Sequence, residues 1–182
     1  AYMHGSRRAV EEVAKEVLGC ELSLGTVSFR EKEMTQALEE PYTQVQQQVR
    51  AAPAKNVDET GWKRAGKWLW VAATPNAALF HIDRVRNWHG LQNLLGQWVQ
   101  GVVCSDRYGV YDHLKLGRRA ICWAHLKRDF QKWVDRGGST VHLGKRGLAI
   151  TRKVCRLYGR YKGGGMDRAA LRRAVIPLRH HM

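Results

Sequence analysis

The first 50 residues carry apolar positions at helical spacing. Residues 6–18 repeat apolar side chains every three or four positions, and a second stripe of the same kind follows Ser23. Ser6 and Ser23 suit the N-caps of two helices, and Gly19 ends the first one. Two helices joined by a short glycine-containing turn resemble a helix-turn-helix, yet a helical hairpin that only packs or dimerises has the same pattern. Both interpretations stay open.

The spacing changes to that of strands after a short helix that starts near Pro41 and a connector around Pro53. A segment reaching Asp58 and the runs KWLWVAAT and ALFHIDR predict three strands, with a turn from Lys63 to Gly66 between the first two. The middle run is too uniformly apolar to leave one face in water. Three consecutive strands with short turns form an antiparallel meander.

An amphipathic helix comes next and leads to a fourth strand. The apolar side of this helix consists of Trp88, Leu91, Leu94, Leu95 and Trp98. The run VVCSD is a compact strand that ends at Asp106. Because a strand, a crossover helix and a parallel strand form a right-handed unit, we expect the fourth strand to run parallel to the first. A further strand, RRAICWAH, and a helix, HLKRDFQKWV, extend the pattern before a basic helical region that glycines 163–165 interrupt.

Positive charge is concentrated in the C-terminal part of the chain. The formal net charge is +15, but residues 1–112 hold 13 basic and 13 acidic side chains, whereas residues 113–182 hold 18 and 3. A basic surface of this extent suits a polyphosphate partner such as nucleic acid, and a solvated helical face is the alternative. The sequence has no long apolar run and no leader-like start, so we expect a cytosolic protein without a membrane partner.

The four cysteines are expected to be reduced thiols. Cys20, Cys104, Cys122 and Cys155 lie far apart, and their apolar neighbours predict positions in the core. Cys122 and His125 have the spacing of metal ligands, but a structural zinc site needs four ligands and no second pair stands at a suitable distance. We therefore interpret them as core and helix-capping residues. An approach of His125 to the strand ends is the alternative.

Two aspartates lie at the C-terminal ends of predicted strands, where sites open in sheets with parallel strands and crossover helices. Asp58 belongs to the first strand and Asp106 ends the fourth. If these strands are neighbours, both carboxylates can bind one divalent cation. Hard cations such as Mg²⁺ prefer oxygen ligands and leave positions for phosphate oxygens. Taken singly, each residue has a structural alternative, a turn for Asp58 and a helix cap for Asp106.

Three separated blocks of the sequence resemble one known family. VDETGWKRAGKWLWVAATPNAALFHI, VVCSDRYGVYDHL and CWAHLKRDFQKWV are similar, in this order, to the central region of transposases of the insertion sequence 66 family. The segment ELSLGTVSFREKEMTQALEEPY resembles the part that precedes this region in the family. The resemblance extends from about Ser6 to the end of the chain.

The resemblance implies a ribonuclease-H-like α/β fold, with three antiparallel strands followed by parallel strands and crossover helices. It also implies a DDE transposase that uses Mg²⁺ or Mn²⁺ to cleave DNA strands at transposon ends and to join them to target DNA. Asp58 and Asp106 match the first two acidic ligands. The basic residues that we expect to contact DNA are Arg107, Lys127, Arg128 and Lys132. For Arg107, packing alone is the open alternative. Transposases generally work as multimers, so a homo-oligomer is implied.

The third acid of the family's triad has no counterpart in this sequence. In similar proteins it is a glutamate on a helix well downstream, whereas here no glutamate follows Glu59. The acids beyond Asp112 are Asp129, Asp135 and Asp167, and the last of these suits a helix N-cap. We therefore expect a truncated and catalytically incomplete transposase, with a non-catalytic DNA-binding protein derived from one as the alternative.

Three segments are expected on this basis. Residues 1–50 form a helical, helix-turn-helix-like segment, residues 51–136 a partial ribonuclease-H-like catalytic core, and residues 137–182 a basic helical insertion region. A DNA partner implies a cytoplasmic location on the nucleoid.

Overall fold

The computed structural model describes residues 6–62 and 66–179. Its helices are α1 (Arg7–Leu18), α2 (Leu24–Ala37), α3 (Glu39–Ala51), α4 (Trp88–Leu95), α5 (Trp123–Arg136), α6 (Val141–Lys162) and α7 (Arg168–Arg179). Its strands are β1 (Ala54–Trp62), β2 (Lys67–Ala73), β3 (Ala78–Asp83), β4 (Val102–Ser105) and β5 (Arg119–Ile121). A short 3-10 helix, Gly109–His113, follows β4. The turn predicted between Lys63 and Gly66 lies largely outside the described residues.

The strands form one mixed sheet in the order β3-β2-β1-β4-β5. β1 pairs antiparallel with β2, and β2 pairs antiparallel with β3, which confirms the predicted meander. β4 lies beside β1 and runs parallel to it, as the crossover through α4 predicted, and β5 runs parallel to β4. The chain therefore has a mixed α/β architecture with β1 at the centre of the sheet.

One face of the sheet carries the hydrophobic core. Residues of a strand alternate between its two faces, so every second side chain points into this core. The buried side chains come from four strands, from α3 and α4, and from the 3-10 helix: Val49, Val57, Trp70, Leu79, Leu91, Leu94, Leu95, Val103 and Tyr111. Burying apolar side chains of this size contributes about 1.5–3 kcal/mol each. The core therefore supports β1 and β4 at Val57 and Val103.

Helices α1 and α2 have the predicted caps. Ser6 Oγ accepts a hydrogen bond from the amide of Ala9 (3.2 Å), and Ser23 Oγ accepts one from the amide of Thr26 (3.1 Å). Gly19 ends α1 with a φ of 65°, a conformation in which a Cβ atom would be strained. The C-terminal turn of α3 packs against the core and so joins these helices to the sheet.

The helix predicted from Trp88 to Trp98 is shorter than expected. α4 ends at Leu95, because Gly96 has a φ of 89° and turns the backbone out of the helix. Trp98 consequently lies in the following loop and is 86% exposed, so its predicted place on the apolar side of the helix is wrong.

The strand predicted as RRAICWAH is also shorter than expected. β5 covers Arg119–Ile121, and α5 begins at Trp123. The carbonyl of Cys122 accepts the first helical hydrogen bond, from the amide of Leu126 (3.1 Å), and this bond commits the chain to a helix.

The cysteines are free, as predicted, but their predicted burial is wrong for two of them. Cys20 and Cys155 are exposed, and Cys104 and Cys122 are half-buried. Cys20 follows the C-cap of α1, and Cys155 lies on the exposed side of α6. Apolar neighbours in the sequence therefore did not indicate burial of these two cysteines.

Helices α5 and α6 form a closely packed hairpin. A Cβ atom added to Gly147 of α6 would lie 2.4 Å from the ring of Phe130 in α5, and one added to Gly144 would lie 2.7 Å from the Phe130 carbonyl oxygen. Only glycine allows the two helices to approach this closely. α7 follows a glycine-rich turn, and its predicted cap is confirmed, because Asp167 Oδ1 accepts a hydrogen bond from the amide of Ala170 (2.6 Å). Within the described ranges, the helices are too short or too polar to cross a bilayer.

Candidate functional site

Asp58 and Asp106 lie on neighbouring parallel segments. β1 and β4 pair as far as Asn56 beside Cys104, and Asp58 and Asp106 each lie two residues beyond this pair. In β1 the side chain of Val57 is buried in the core, so that of Asp58 points to the opposite face, where it is 62% exposed. Asp106 directly follows the last residue of β4, but β1 continues from Asp58 to Trp62, so the prediction that Asp58 ends its strand is wrong.

Backbone amides fix one carboxylate oxygen of each aspartate. Asp58 Oδ1 accepts a hydrogen bond from the amide of Glu59 (3.0 Å), and Asp106 Oδ1 accepts one from the amide of Tyr108 (2.9 Å). Asp58 Oδ2 lies 3.9 Å from Nε2 of His125. These two hydrogen bonds limit the rotation of the carboxylates and leave the Oδ2 atoms for another partner.

A small cavity opens on the same face of the sheet as Asp58. Its volume is about 170 Å³, and its lining includes Asn56, Asp58, Cys104, Cys122 and His125. The Nδ1 atom of His125 is buried and has no hydrogen-bond partner among the described residues. His125 therefore approaches the strand ends, which is the alternative that the sequence left open. Burial and the neighbouring Cys122 raise the pKa of Cys104, so its thiol stays protonated at neutral pH.

The carboxylate oxygens suit a hard cation. Mg²⁺ usually binds through one or two carboxylates and keeps waters and substrate phosphates in its remaining positions. Asp58 and Asp106 can supply two such ligands. Across residues 6–62 and 66–179, no group of three or more His, Cys, Asp or Glu side chains is arranged to hold a metal ion. A cation at the two aspartates would therefore need further oxygen ligands from water or phosphate.

Glu59, the neighbour of Asp58, is buried on the core face, and its side chain is 1% exposed. Its Oε1 atom accepts hydrogen bonds from Nε (3.0 Å) and Nη2 (2.8 Å) of Arg86, and its Oε2 atom accepts one from the hydroxyl of Tyr111 (2.6 Å). No role for Glu59 was predicted from the sequence. The one available signal was the alternation of β1, which turns the neighbour of an outward-facing aspartate towards the core.

Arg86 lies between two aromatic rings. Its guanidinium carbon is 4.7 Å from the centre of the Trp68 ring and 4.1 Å from that of Tyr108, distances typical of cation–π contacts. Burial lowers the pKa of Arg86, but the hydrogen bonds and charge of Glu59 more than offset burial and raise this pKa above its ordinary value. Burial, together with the hydrogen bond to Glu59, raises the pKa of Tyr111. Arg86 is therefore charged and Tyr111 protonated at neutral pH.

The four basic residues predicted to contact DNA differ in their surroundings. Arg107 Nη2 lies 2.6 Å from Oδ2 of Asp129, and Lys132 Nζ lies 3.6 Å from Oδ1 of the same residue. Lys127 and Arg128 are exposed on α5. Asp129 therefore offsets part of the positive charge of Arg107 and Lys132.

Helix α6 carries a larger set of basic side chains, all of them exposed, and its sequence contains no acid. This α6 basic surface consists of Lys145, Arg146, Arg152, Lys153, Arg156, Arg160 and Lys162. The charge distribution predicted a basic C-terminal region, but none of the four residues expected to contact DNA lies in α6. The residue-by-residue prediction missed this surface because it followed the blocks of family resemblance, which end before α6.

Comparison with known proteins identifies a family for this chain. The family model described as Transposase IS66 family matches residues 4–174. No curated protein matches the chain. The matched range covers nearly the whole chain and includes Asp58, Asp106 and the α6 basic surface. The chain therefore belongs to the IS66 family of transposases.

Proposed function

We propose that this chain provides the cation-binding and DNA-binding parts of a DDE transposase that cleaves and joins DNA strands at transposon ends. The observation that carries the proposal is the parallel pairing of β1 with β4, because Asp58 and Asp106 each lie two residues beyond its last pair, Asn56 with Cys104. The strand order β3-β2-β1-β4-β5, with its three antiparallel strands followed by parallel ones, supports a ribonuclease-H-like classification of the sheet.

Asp58 and Asp106 are the proposed ligands of Mg²⁺ or Mn²⁺. A bound cation of this kind stabilises negative charge on phosphoryl oxygens during strand cleavage and strand transfer. The chain's own part is to orient the two carboxylates. Each Oδ1 is held by a backbone amide, which leaves both Oδ2 atoms available to a cation.

DNA is the proposed partner of the basic surface of α5 and α6. The α6 basic surface presents exposed cations without an acid on the same helix, an arrangement that binds phosphates through the release of counterions. We propose that Lys127 and Arg128 extend this surface along α5, with smaller contributions from Arg107 and Lys132. A DNA partner places the protein on the nucleoid, and pairing of two transposon ends would require a homo-oligomer.

We propose three functional segments, with the limits expected from the sequence. These are a helical N-terminal segment over residues 1–50, a catalytic core over residues 51–136 and a basic helical region over residues 137–182. The resemblance to a helix-turn-helix in the first segment is part of this proposal.

Strand cleavage is the test of the proposed function. The chain is incubated with duplex DNA that carries the ends of an insertion sequence of this family, in Mg²⁺, in Mn²⁺ and in EDTA. Because no glutamate follows Glu59 in this sequence to supply a third acid, we expect only weak nicking at the ends, which requires the metal and disappears in Asp58→Asn and Asp106→Asn. Salt-dependent DNA binding without cleavage in either metal would instead indicate a non-catalytic DNA-binding protein.

A further inference from the structure

We infer that Glu59, Arg86 and Tyr111 are positioning residues that fix Asp58 and Asp106 relative to each other. The inference rests on the proposed function, because it concerns the geometry of the proposed cation ligands. These three side chains lie on the core face, opposite to Asp58, and their role is to hold β1 and the segment after β4 in place.

The burial of the Glu59 carboxylate is energetically costly. Burying a charge costs several kcal/mol unless it is paired and hydrogen-bonded, and replacing a buried ion pair by apolar side chains is often neutral or stabilising. Glu59 is almost completely buried and accepts three hydrogen bonds. A contribution to the stability of the fold therefore does not explain the buried Glu59, whereas a role in fixing the positions of the neighbouring segments does.

The bonds of Glu59 connect three separate segments of the chain. Glu59 lies on β1, Arg86 lies in the loop between β3 and α4, and Tyr111 lies in the 3-10 helix after β4. Tyr108, in the loop after β4, also donates a hydrogen bond from its hydroxyl to the carbonyl of Arg86 (2.7 Å). β1 and the segment after β4 are thus held together twice, once by the bond from Tyr111 to Glu59 and once through Arg86.

Two residues of this hydrogen-bond network, Glu59 and Tyr108, also bond to the aspartates through their backbone amides. The amide of Glu59 holds Asp58 Oδ1, and the amide of Tyr108 holds Asp106 Oδ1. A shift of Glu59 or Tyr108 therefore moves the carboxylate that its amide holds. This direct connection distinguishes the cluster from a buried ion pair elsewhere in the core.

Mn²⁺ affinity of the full 182-residue chain, measured by electron paramagnetic resonance, tests the inference. We expect Glu59→Gln and Tyr111→Phe to weaken Mn²⁺ binding about 10- to 100-fold, the usual effect of losing residues that orient metal ligands. Tyr111→Phe removes a single hydroxyl, so it keeps the experiment decisive if Glu59→Gln does not fold.

A matched control comes from the start of β1. Lys55 is buried, and its Nζ donates hydrogen bonds to the carbonyls of Arg50 (2.7 Å) and Gln100 (2.9 Å). Lys55→Met removes a buried charge from the same strand, and the Lys55 side chain bonds to neither aspartate. It should lower the melting temperature and leave Mn²⁺ affinity within about twofold of the parent.

The outcomes separate the two proposals. If Asp58→Asn abolishes Mn²⁺ binding while folded Glu59→Gln and Tyr111→Phe bind like the parent, the positioning role is overturned and the proposed function stands. Equal losses in Lys55→Met and Tyr111→Phe also overturn the positioning role, since general destabilisation then explains both. If the parent binds no Mn²⁺ that depends on Asp58, both proposals fail.

Discussion

Tyr111 donates a 2.6 Å hydrogen bond to Glu59 across the two segments that carry Asp58 and Asp106. The donor is fully buried and the acceptor is 1% exposed, so water does not compete for this bond. A hydrogen bond to a charged acceptor contributes about 1.5–3 kcal/mol. This single contact therefore links the stability of the fold to the placement of the proposed cation ligands.

Tyr111 should make stability fall at alkaline pH. Its pKa is raised above the ordinary 10.0, chiefly by burial and then by Glu59, so the folded state keeps a proton that the unfolded state loses. The stabilisation is fully present below pH 10 and declines as the pH rises above it, by at most about 1.4 kcal/mol per pH unit. Urea unfolding of the parent and of Tyr111→Phe between pH 8 and 11 measures this decline.

In Tyr111→Phe, we expect a lower free energy of unfolding at pH 8 and a shallower decline above pH 10. The two curves should converge, because ionisation of every other group affects both proteins alike. Parallel curves across the whole range would contradict the pKa shift.

Gly147→Ala should open the hairpin of α5 and α6. The new methyl group would lie 2.4 Å from the ring of Phe130, and overpacking of this kind costs about 1–3 kcal/mol. Gly159→Ala is the matched control on the same helix, since its methyl group would meet no atom within 4 Å. We expect it to stabilise the protein by about 0.5–1 kcal/mol, because alanine favours a helix over glycine. Chemical denaturation of both variants checks the prediction, and equal effects would show that Gly147 is not a packing glycine.

Removing charge from α6 should weaken DNA binding more than removing Arg107. The double variant Arg152→Gln and Lys153→Gln deletes two exposed cations, whereas Arg107 is already paired with Asp129. The slope of log affinity against log salt should fall by up to about 0.9 for each phosphate that the variant no longer neutralises. Fluorescence anisotropy with a labelled duplex measures the slope. A larger drop in affinity for Arg107→Gln than for the double variant would place the main DNA-binding site on the loop after β4.

Asp129→Asn should strengthen DNA binding. The substitution keeps the shape of the side chain but removes the negative charge that faces Arg107 and Lys132. Both cations would then be available to phosphates, so we expect tighter binding at low salt and a steeper salt dependence. Asp135→Asn is the control, because Asp135 bonds to Gln131 rather than to a cation. Equal increases in affinity for both variants would show that the change in net charge alone explains the effect.

Much of the fold could be predicted because its signals are local. The caps at Ser6, Ser23 and Asp167 depend on residues at most three positions away. The order of apolar runs was enough to predict the meander and the parallel fourth strand. The parallel pairing of β1 and β4 places Asp58 and Asp106 two residues beyond its last pair, but Asp58 does not end its strand as predicted. Their role as cation ligands stays a prediction.

The contacts behind the site could not be predicted, because they join residues far apart in the sequence. Arg86 and Glu59 are separated by 27 positions, and Tyr111 and Glu59 by 52. Only the packing of α4 and the 3-10 helix against the sheet brings them together. The exposure of Trp98 was also not predicted, because Gly96 ends the helix although the apolar pattern of the sequence continues to Trp98.

A double-mutant cycle on Mn²⁺ affinity tests most directly whether Asp58 and Asp106 share one cation. The parent, Asp58→Asn, Asp106→Asn and the double variant are titrated with Mn²⁺, and Mg²⁺ is used as the competitor. If one ion binds both carboxylates, each single variant should lose at least about tenfold in affinity and the double variant should lose little more. Unchanged affinity in both single variants, or losses that simply add, would contradict a shared ion.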